Sequence, residues 1–338
     1  MAYKYTHFIP QNIAPKGAKS INVYDDNENK ICSIPIGRMA QPMGTKRYSF
    51  GLVSDTHICP DNTTDNVGTK VSERLDRAFS WFEEQGAVFV AHCGDMTNWG
   101  IVDKTGTYNP VEFEEYKRIC DSHPNLPVYG ICGNHESYYA PIVNYEDKLI
   151  EYTGHGIRFT AEHDGDVFIF FGQPKSTTLY VSGSDLPVPE LVWLQEQLSN
   201  NSDKRCFVFI HPYLTNDSGN PLGVHPVNIA PAPYVHNIIV NAIKNHGRAV
   251  LFHGHAHFMP SVQELDKTCN FTNKNGFPSV HVSSLAWASY IKNMEMIKDN
   301  DEGFGAIVDV YDDCIVINGR DFVRNEWSPL GVLKIETT

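Results

Sequence analysis

Five short apolar runs, each the length of a strand, constrain this chain more than any other feature of its sequence. They are Tyr48-Ser49-Phe50-Gly51-Leu52-Val53, Ala87 to Ala91, Pro127 to Cys132, Cys206 to Ile210 and Arg248 to Phe252. Near-continuous hydrophobicity over so few residues suits strands covered on both faces, as helices flanking a sheet require. Helix-period segments lie between them. Val71, Leu75, Ala78, Phe79 and Phe82 follow at steps of four, three, one and three, which lines up one apolar stripe. Leu191, Leu194 and Leu198 make a similar stripe, with Pro189 near the first turn, and Asn237 to His246 closes on Gly247 as a helix C′. Strand alternating with helix predicts an α/β fold.

The ends of the chain read differently. Gly305 to Tyr311 and Cys314 to Ile317 flank Asp312-Asp313 as an antiparallel hairpin, followed by strands at Phe322-Val323 and Val332 to Ile335. Ile21 to Tyr24 and Ile31 to Ile34 flank a polar turn, so residues 1–46 are expected to form a short β-rich appendage. So few residues hardly build a core alone, and residues 47–338 are taken as the main domain. No window approaches the roughly 18 apolar residues of a membrane span. The amino terminus lacks the pattern of a secretory signal, and the eight cysteines are scattered singly with no CxxC pair. A cytoplasmic protein with buried free thiols is the expectation.

The residues just past each run carry the chemistry. The five strands end in Asp55-Thr56-His57, Gly94-Asp95, Gly133-Asn134-His135-Glu136, His211 and Gly254-His255-Ala256-His257. Carboxyl ends of strands in open α/β sheets converge on one crevice, so these groups can meet despite their distance along the chain. Carboxylate, amide oxygen and imidazole together suit borderline divalent ions such as Zn, Mn, Fe or Co. The set has too few thiolates for a structural zinc and too many imidazoles for calcium. Seven candidate ligands exceed what one ion with an open position needs, whereas two ions sharing a carboxylate would use them all.

In this order and at these strand ends, the five motifs resemble those of the calcineurin-like metallophosphoesterase superfamily over roughly residues 47–258. The resemblance implies an α/β/β/α sandwich of four layers with mixed sheets, an antiparallel carboxyl-terminal β region, and the remaining strands in a second sheet. It also implies that Asp55, His57 and His257 hold one divalent metal, that Asn134, His211 and His255 hold the other, and that Asp95 bridges the two. Water between the ions would become hydroxide near neutral pH and attack phosphorus in line. His135 would then assist the departing oxygen, work for which imidazole has the right pKa range.

In some phosphatases of that family a GDxxDR pattern places an Asp and an Arg after the bridging Asp. Here Asn98 and Trp99 stand in those places. Asn98 cannot stabilise an imidazolium by charge, and the missing Arg removes a clamp for a dianionic monoester. Both changes favour a phosphodiesterase acting on a small phosphoester such as a nucleotide or glycerophosphodiester. The alternatives are a phosphomonoesterase or protein phosphatase and, in a different class, a non-catalytic scaffold that keeps the fold. Asn98, Tyr138 and Tyr213 are candidate substrate contacts, balanced against turn formation and ordinary packing. His92, His253 and His281 read as core or supporting histidines. The run Glu112, Glu114, Glu115 reads as the solvated face of a helix. With 27 Lys+Arg against 40 Asp+Glu, the net charge of −13 speaks against holding a long nucleic-acid duplex.

Overall fold

The first apolar run forms the strand Lys46–Val53, which lies inside a mixed sheet of seven strands in the computed structural model. The structure describes residues 5–7, 9–10, 20–24, 30–37, 44–60, 69–103, 105–137, 145–173, 188–212, 214, 233–258, 271–272, 275–292 and 295–337. On one side of Lys46–Val53 run Val90–His92 and Val128–Gly130, both parallel. On its other side lies Phe304–Tyr311, antiparallel, followed by Cys314–Asp321, Glu326–Glu336 and the outermost strand Tyr5–His7. A second sheet of six strands holds Arg158–His163, Asp166–Phe171, Cys206–Ile210, Ala249–His253, Ser279–His281 and Phe271–Thr272. Its middle four strands, from Asp166–Phe171 to Ser279–His281, are parallel.

The five motif strands are therefore divided, three in the first sheet and two in the second. Of the strands that remain after the motifs, Phe271–Thr272 and Ser279–His281 join the second sheet as expected, and the placement there of the others is corrected for Phe304–Tyr311, Cys314–Asp321 and Glu326–Glu336. They occupy instead the edge of Lys46–Val53 where a doubly wound sheet would continue in parallel. The physical reason is local. Phe304–Tyr311 and Cys314–Asp321 are joined by a tight turn, and such a hairpin docks antiparallel with no crossover helix. The expected hairpin itself is present, as are the helices Thr69–Glu84, Val188–Asn200 and Pro233–His246.

Alternation explains how one set of residues fills three cores. Tyr48, Phe50 and Leu52 point from the first sheet toward Phe168, Phe170, Phe207, Phe209 and Phe252 on the second. These rings stack, with centroids 4.7 Å apart for Phe170 and Phe209 and 4.8 Å for Phe168 and Phe207. Each such buried ring contributes about 1.5–3 kcal/mol from area alone. The other face of the first sheet meets Val71, Leu75, Phe79 and Phe82 of Thr69–Glu84, the stripe predicted from spacing. The outer face of the second sheet meets Leu191, Leu194, Leu198, Ile239 and Ile243. Both sheets direct the carboxyl ends of their parallel strands to one seam. Among the described residues no helix is long and apolar enough to cross a membrane.

Candidate metal centre

The seam is built from turns in which the backbone is bent against its ordinary preference. Asp55, His57, Asp95, His255 and His257 have φ of 52°, 45°, 53°, 70° and 55°, in the left-handed region that side chains with a Cβ rarely adopt. Among the described residues only Asp164 and Asn325, both in surface turns, share it without glycine. Such strain persists where the surroundings hold it and gathers at functional sites. The loops are laced together by main-chain bonds, from Asp55 N–H to Gly94 O at 2.9 Å and from His57 N–H to Asp95 O at 3.0 Å. Gly133 allows the closest approach. A Cβ there would collide with Asp95 and with the ring of His211, and one on Gly94, itself at φ +93°, would meet His211 Nδ1 at 2.6 Å.

Two groups of donors result. Asp55, His57, Asp95 and His257 bring their ligating atoms within 4.8 Å of one another, and so do Asp95, His211 and His255, with Asp95 common to both. His257 Nε2 lies 2.9 Å from Asp55 Oδ1 and 3.1 Å from His57 Nε2. On the other side His211 Nε2 lies 3.1 Å from each of Asp95 Oδ2, Asn134 Oδ1 and His255 Nδ1. All seven predicted ligands thus meet in one place, although the turns that carry them are far apart along the chain.

These groups fit a pair of divalent ions. Two imidazole nitrogens facing each other at 3.1 Å oppose their lone pairs unless a proton or cation lies between them. Nitrogens bound to one ion at about 2.0–2.1 Å and about 90–110° apart would stand roughly 2.8–3.4 Å from each other. The charges point the same way. Burial would raise the carboxyl of Asp55, yet His257 and His211 hold it well below its usual range. Burial acts likewise on Asp95, and His211 and His135 hold it low. Burial would lower His211, but Asp95 and Asp55 push it up to about 9. Burial and then His135 keep His57 well below the ordinary imidazole value. Two buried carboxylates thus require positive charge, which a proton on His211 supplies in part and divalent cations could supply in full.

His135 sits at the edge, with its side chain 24% exposed and its ring edge-on to His57 at 4.4 Å. Its N–H bonds to Asp95 Oδ1 at 2.9 Å, and its Nδ1 lies 2.6 Å from the main-chain oxygen of Asn98. Nε2 is thereby left on the side of Asp95, 4.0 Å from Oδ2. Asn98 is 5% exposed and meets His135 through its main chain. Tyr138 and Tyr213 lie outside the described residues. His92 and His253 are buried and held neutral, their pKa lowered by burial to about 3, while His281 packs beside His253 at 5.4 Å.

Three contributors escape the sequence reading. Glu136 is fully buried and accepts the N–H groups of Asp95, Thr97 and Gly133 at 3.0, 2.9 and 2.7 Å, which fixes two of the loops to each other. Burial and then the nearby Asp95 push its carboxyl up to about 7. Trp287 packs on the rings of His57 and His257 at 4.5 and 4.4 Å, from a segment with no motif of its own. Glu112 is 3% exposed, which corrects its placement on a solvated face; Glu114 does face outward. Its helix enters beside the loop after Asp95, and the carboxylate serves that loop's N–H groups. Only Glu136, three residues after Gly133 in a motif, carried a usable signal.

A family model described as calcineurin-like phosphoesterase matches residues 48–259. No curated protein matches by sequence. Among solved structures, a dimetal phosphatase from Danio rerio is similar at a TM-score of 0.56 and 13% identity, covering 87% of this chain and 100% of that one. GAP50, described as the anchor in the inner membrane complex of Plasmodium, is similar at 0.54 and 12%, covering 87% and 90%. At such identities the two structures establish a common fold.

Proposed function

The chain belongs to the calcineurin-like phosphoesterase family, and from that membership we propose that it is a metal-dependent phosphoester hydrolase, specifically a phosphodiesterase. The observation that carries the reading is the shared carboxylate: Asp95 belongs to both donor groups. Asp55, His57 and His257 would hold one ion, Asn134, His211 and His255 the other, and Asp95 both, the metals being drawn from Mn, Fe, Zn and Co. Bound there, the ions would supply Lewis acidity toward the non-bridging oxygens and a water acidic enough to serve as nucleophile.

The chain's own residues do the rest. Asp95 accepts the main-chain N–H of His135, and the Asn98 carbonyl accepts a hydrogen bond from Nδ1–H. With the ring protonated on both nitrogens, Nε2, on the side of the centre, is the one that would give its proton to the leaving oxygen. Strained turns hold the donors before substrate arrives, so little reorganisation is left for the reaction. The diester preference is supported by Asn98 and Trp99 where an Asp and an Arg would serve a dianion. In this reading residues 47–338 form the phosphoesterase domain and residues 1–46 an appendage. The substrate is a small molecule such as a nucleotide or glycerophosphodiester, with Asn98, Tyr138 and Tyr213 as its candidate contacts. A cytoplasmic location accords with the free thiols of Cys93, Cys120, Cys132, Cys206 and Cys314.

The test sets an aryl phosphodiester against the matching monoester in the presence of manganese. Faster diester cleavage is expected, and faster monoester cleavage would overturn the preference. His135→Ala should retain its metal and lose about 10²–10⁴ in turnover; unchanged turnover would remove His135 from the mechanism.

A further inference from the structure

The helix Val111–Ser122 has no apolar reason to bury a carboxylate in its first turn, yet Glu112 is 3% exposed beside Phe113 and Tyr116. A buried carboxylate is costly unless hydrogen bonds compensate it. Here Oε2 accepts the N–H of Asn98 at 2.8 Å and the N–H of Trp99 at 2.6 Å, both short and charge-assisted. The second of these bonds matters most. The Trp99 N–H and the Asn98 carbonyl belong to one peptide group, and that carbonyl oxygen lies 2.6 Å from His135 Nδ1. A continuous path runs from the Glu112 carboxylate through one amide to the imidazole. Each bond in such a chain polarises the next, so the carboxylate makes the Asn98 oxygen a stronger acceptor as well as fixing its place.

We propose that Glu112 is a positioning residue for His135, acting through the peptide group between Asn98 and Trp99. The accepted N–H groups hold that peptide in place, and the charge of the carboxylate adds a smaller increment to the strength of the Asn98 oxygen as an acceptor. The proposal rests on the reading of His135 as the group that assists the leaving oxygen. It also accounts for a polar position inside an otherwise apolar helix face, where Phe113, Tyr116 and Ile119 form the packing.

The test uses the metal-loaded full chain and phosphoesters whose leaving groups range from 4-nitrophenol to a simple alkyl alcohol. Glu112→Ala removes the acceptor, and Glu112→Gln keeps an oxygen within reach while dropping the charge. For the alkyl ester, Glu112→Ala should lower kcat roughly 10–100-fold, the scale of a misplaced catalytic group. For the nitrophenyl ester, whose leaving group needs little help, the loss should stay below about threefold. KM and metal content should be unchanged, and Glu112→Gln should recover most of the loss. Combined with His135→Ala, either substitution should cost nothing further, because both act on one group.

A loss equal for all leaving groups, a fall in metal content, or effects additive with His135→Ala would overturn the proposal. Should Glu112→Ala fail to fold, Glu112→Gln carries the test: a loss of about threefold confined to the alkyl ester and absent in the His135→Ala background is expected. Unchanged turnover of the alkyl ester would overturn the proposal. His135→Ala as active as the parent would overturn the role of His135 and this proposal with it. His135→Ala slowed while both Glu112 variants match the parent would overturn this one alone.

Discussion

His92 shows how a single side chain beside the centre is held in one protonation state. Its Nδ1 accepts the Gly94 N–H, and its Nε2 lies 3.0 Å from the Thr56 hydroxyl, which itself donates to Met96 O. The proton therefore sits on Nε2, and a second one on Nδ1 would displace the Gly94 bond. Burial lowers the pKa from 6.5 to about 3. In that window the unfolded chain binds a proton that the folded one refuses. The contribution to stability is complete above pH 6.5 and declines as the pH falls toward 3, by up to about 1.4 kcal/mol per pH unit. Thermal unfolding in chelator from pH 7 to 4 should show His92→Gln losing stability less steeply than the parent. Parallel slopes would refute it. The residue types at the centre were legible at this scale, since Asp55, Asp95 and the histidines follow apolar runs. Glu112 was not, because a Glu in a charged run looks solvated until the neighbouring loop is known.

At the scale of elements, the helix Thr69–Glu84 was readable from its stripe and is buried along it. Phe82 is fully buried, packs against Trp81 and Phe322, and presses its ring over Gly51 of the adjoining strand. Phe82→Ala should cost about 3–5 kcal/mol, because the cavity between helix and sheet cannot collapse where Gly51 offers no side chain to fill it. Urea unfolding is expected to show a lower midpoint at an unchanged slope; a shift below about 1 kcal/mol would mean the helix repacks. The hairpin Phe304–Tyr311 and Cys314–Asp321 was equally legible, from alternation around a polar turn. Its sheet was not. Hydrophobic period tells a strand which faces are covered, and the edge it joins depends on what the rest of the chain leaves open.

For the molecule as a whole, the donor groups bind the two sheets together. Asp55, Asp95 and Asn134 come after strands of the first sheet, and His211, His255 and His257 after strands of the second. Ions held between them would link the sheets at the seam, while the Phe50, Phe168 and Phe207 cluster joins them across their faces. Chelation should lower the midpoint of thermal unfolding, and manganese should restore it. At 100 times the dissociation constant the gain is about 2.7 kcal/mol. An unfolding midpoint indifferent to chelator and manganese would mean that the donors do not hold metal in the folded state. The formal charge of −13 counts the buried carboxylates of Asp55 and Asp95, and the seam they line is the place where positive charge would gather.

The sequence by itself determined the α/β alternation, the helix stripes, and the order of seven donors at five strand ends. Those are local properties, written in spacing and residue type. The tertiary structure alone decided the division of the strands between two sheets, the packing of Trp287 on His57 and His257, and the path from Glu112 to His135. Each of these joins residues through distances that no local period encodes. They are selected by which surfaces remain to be covered once the strands have paired.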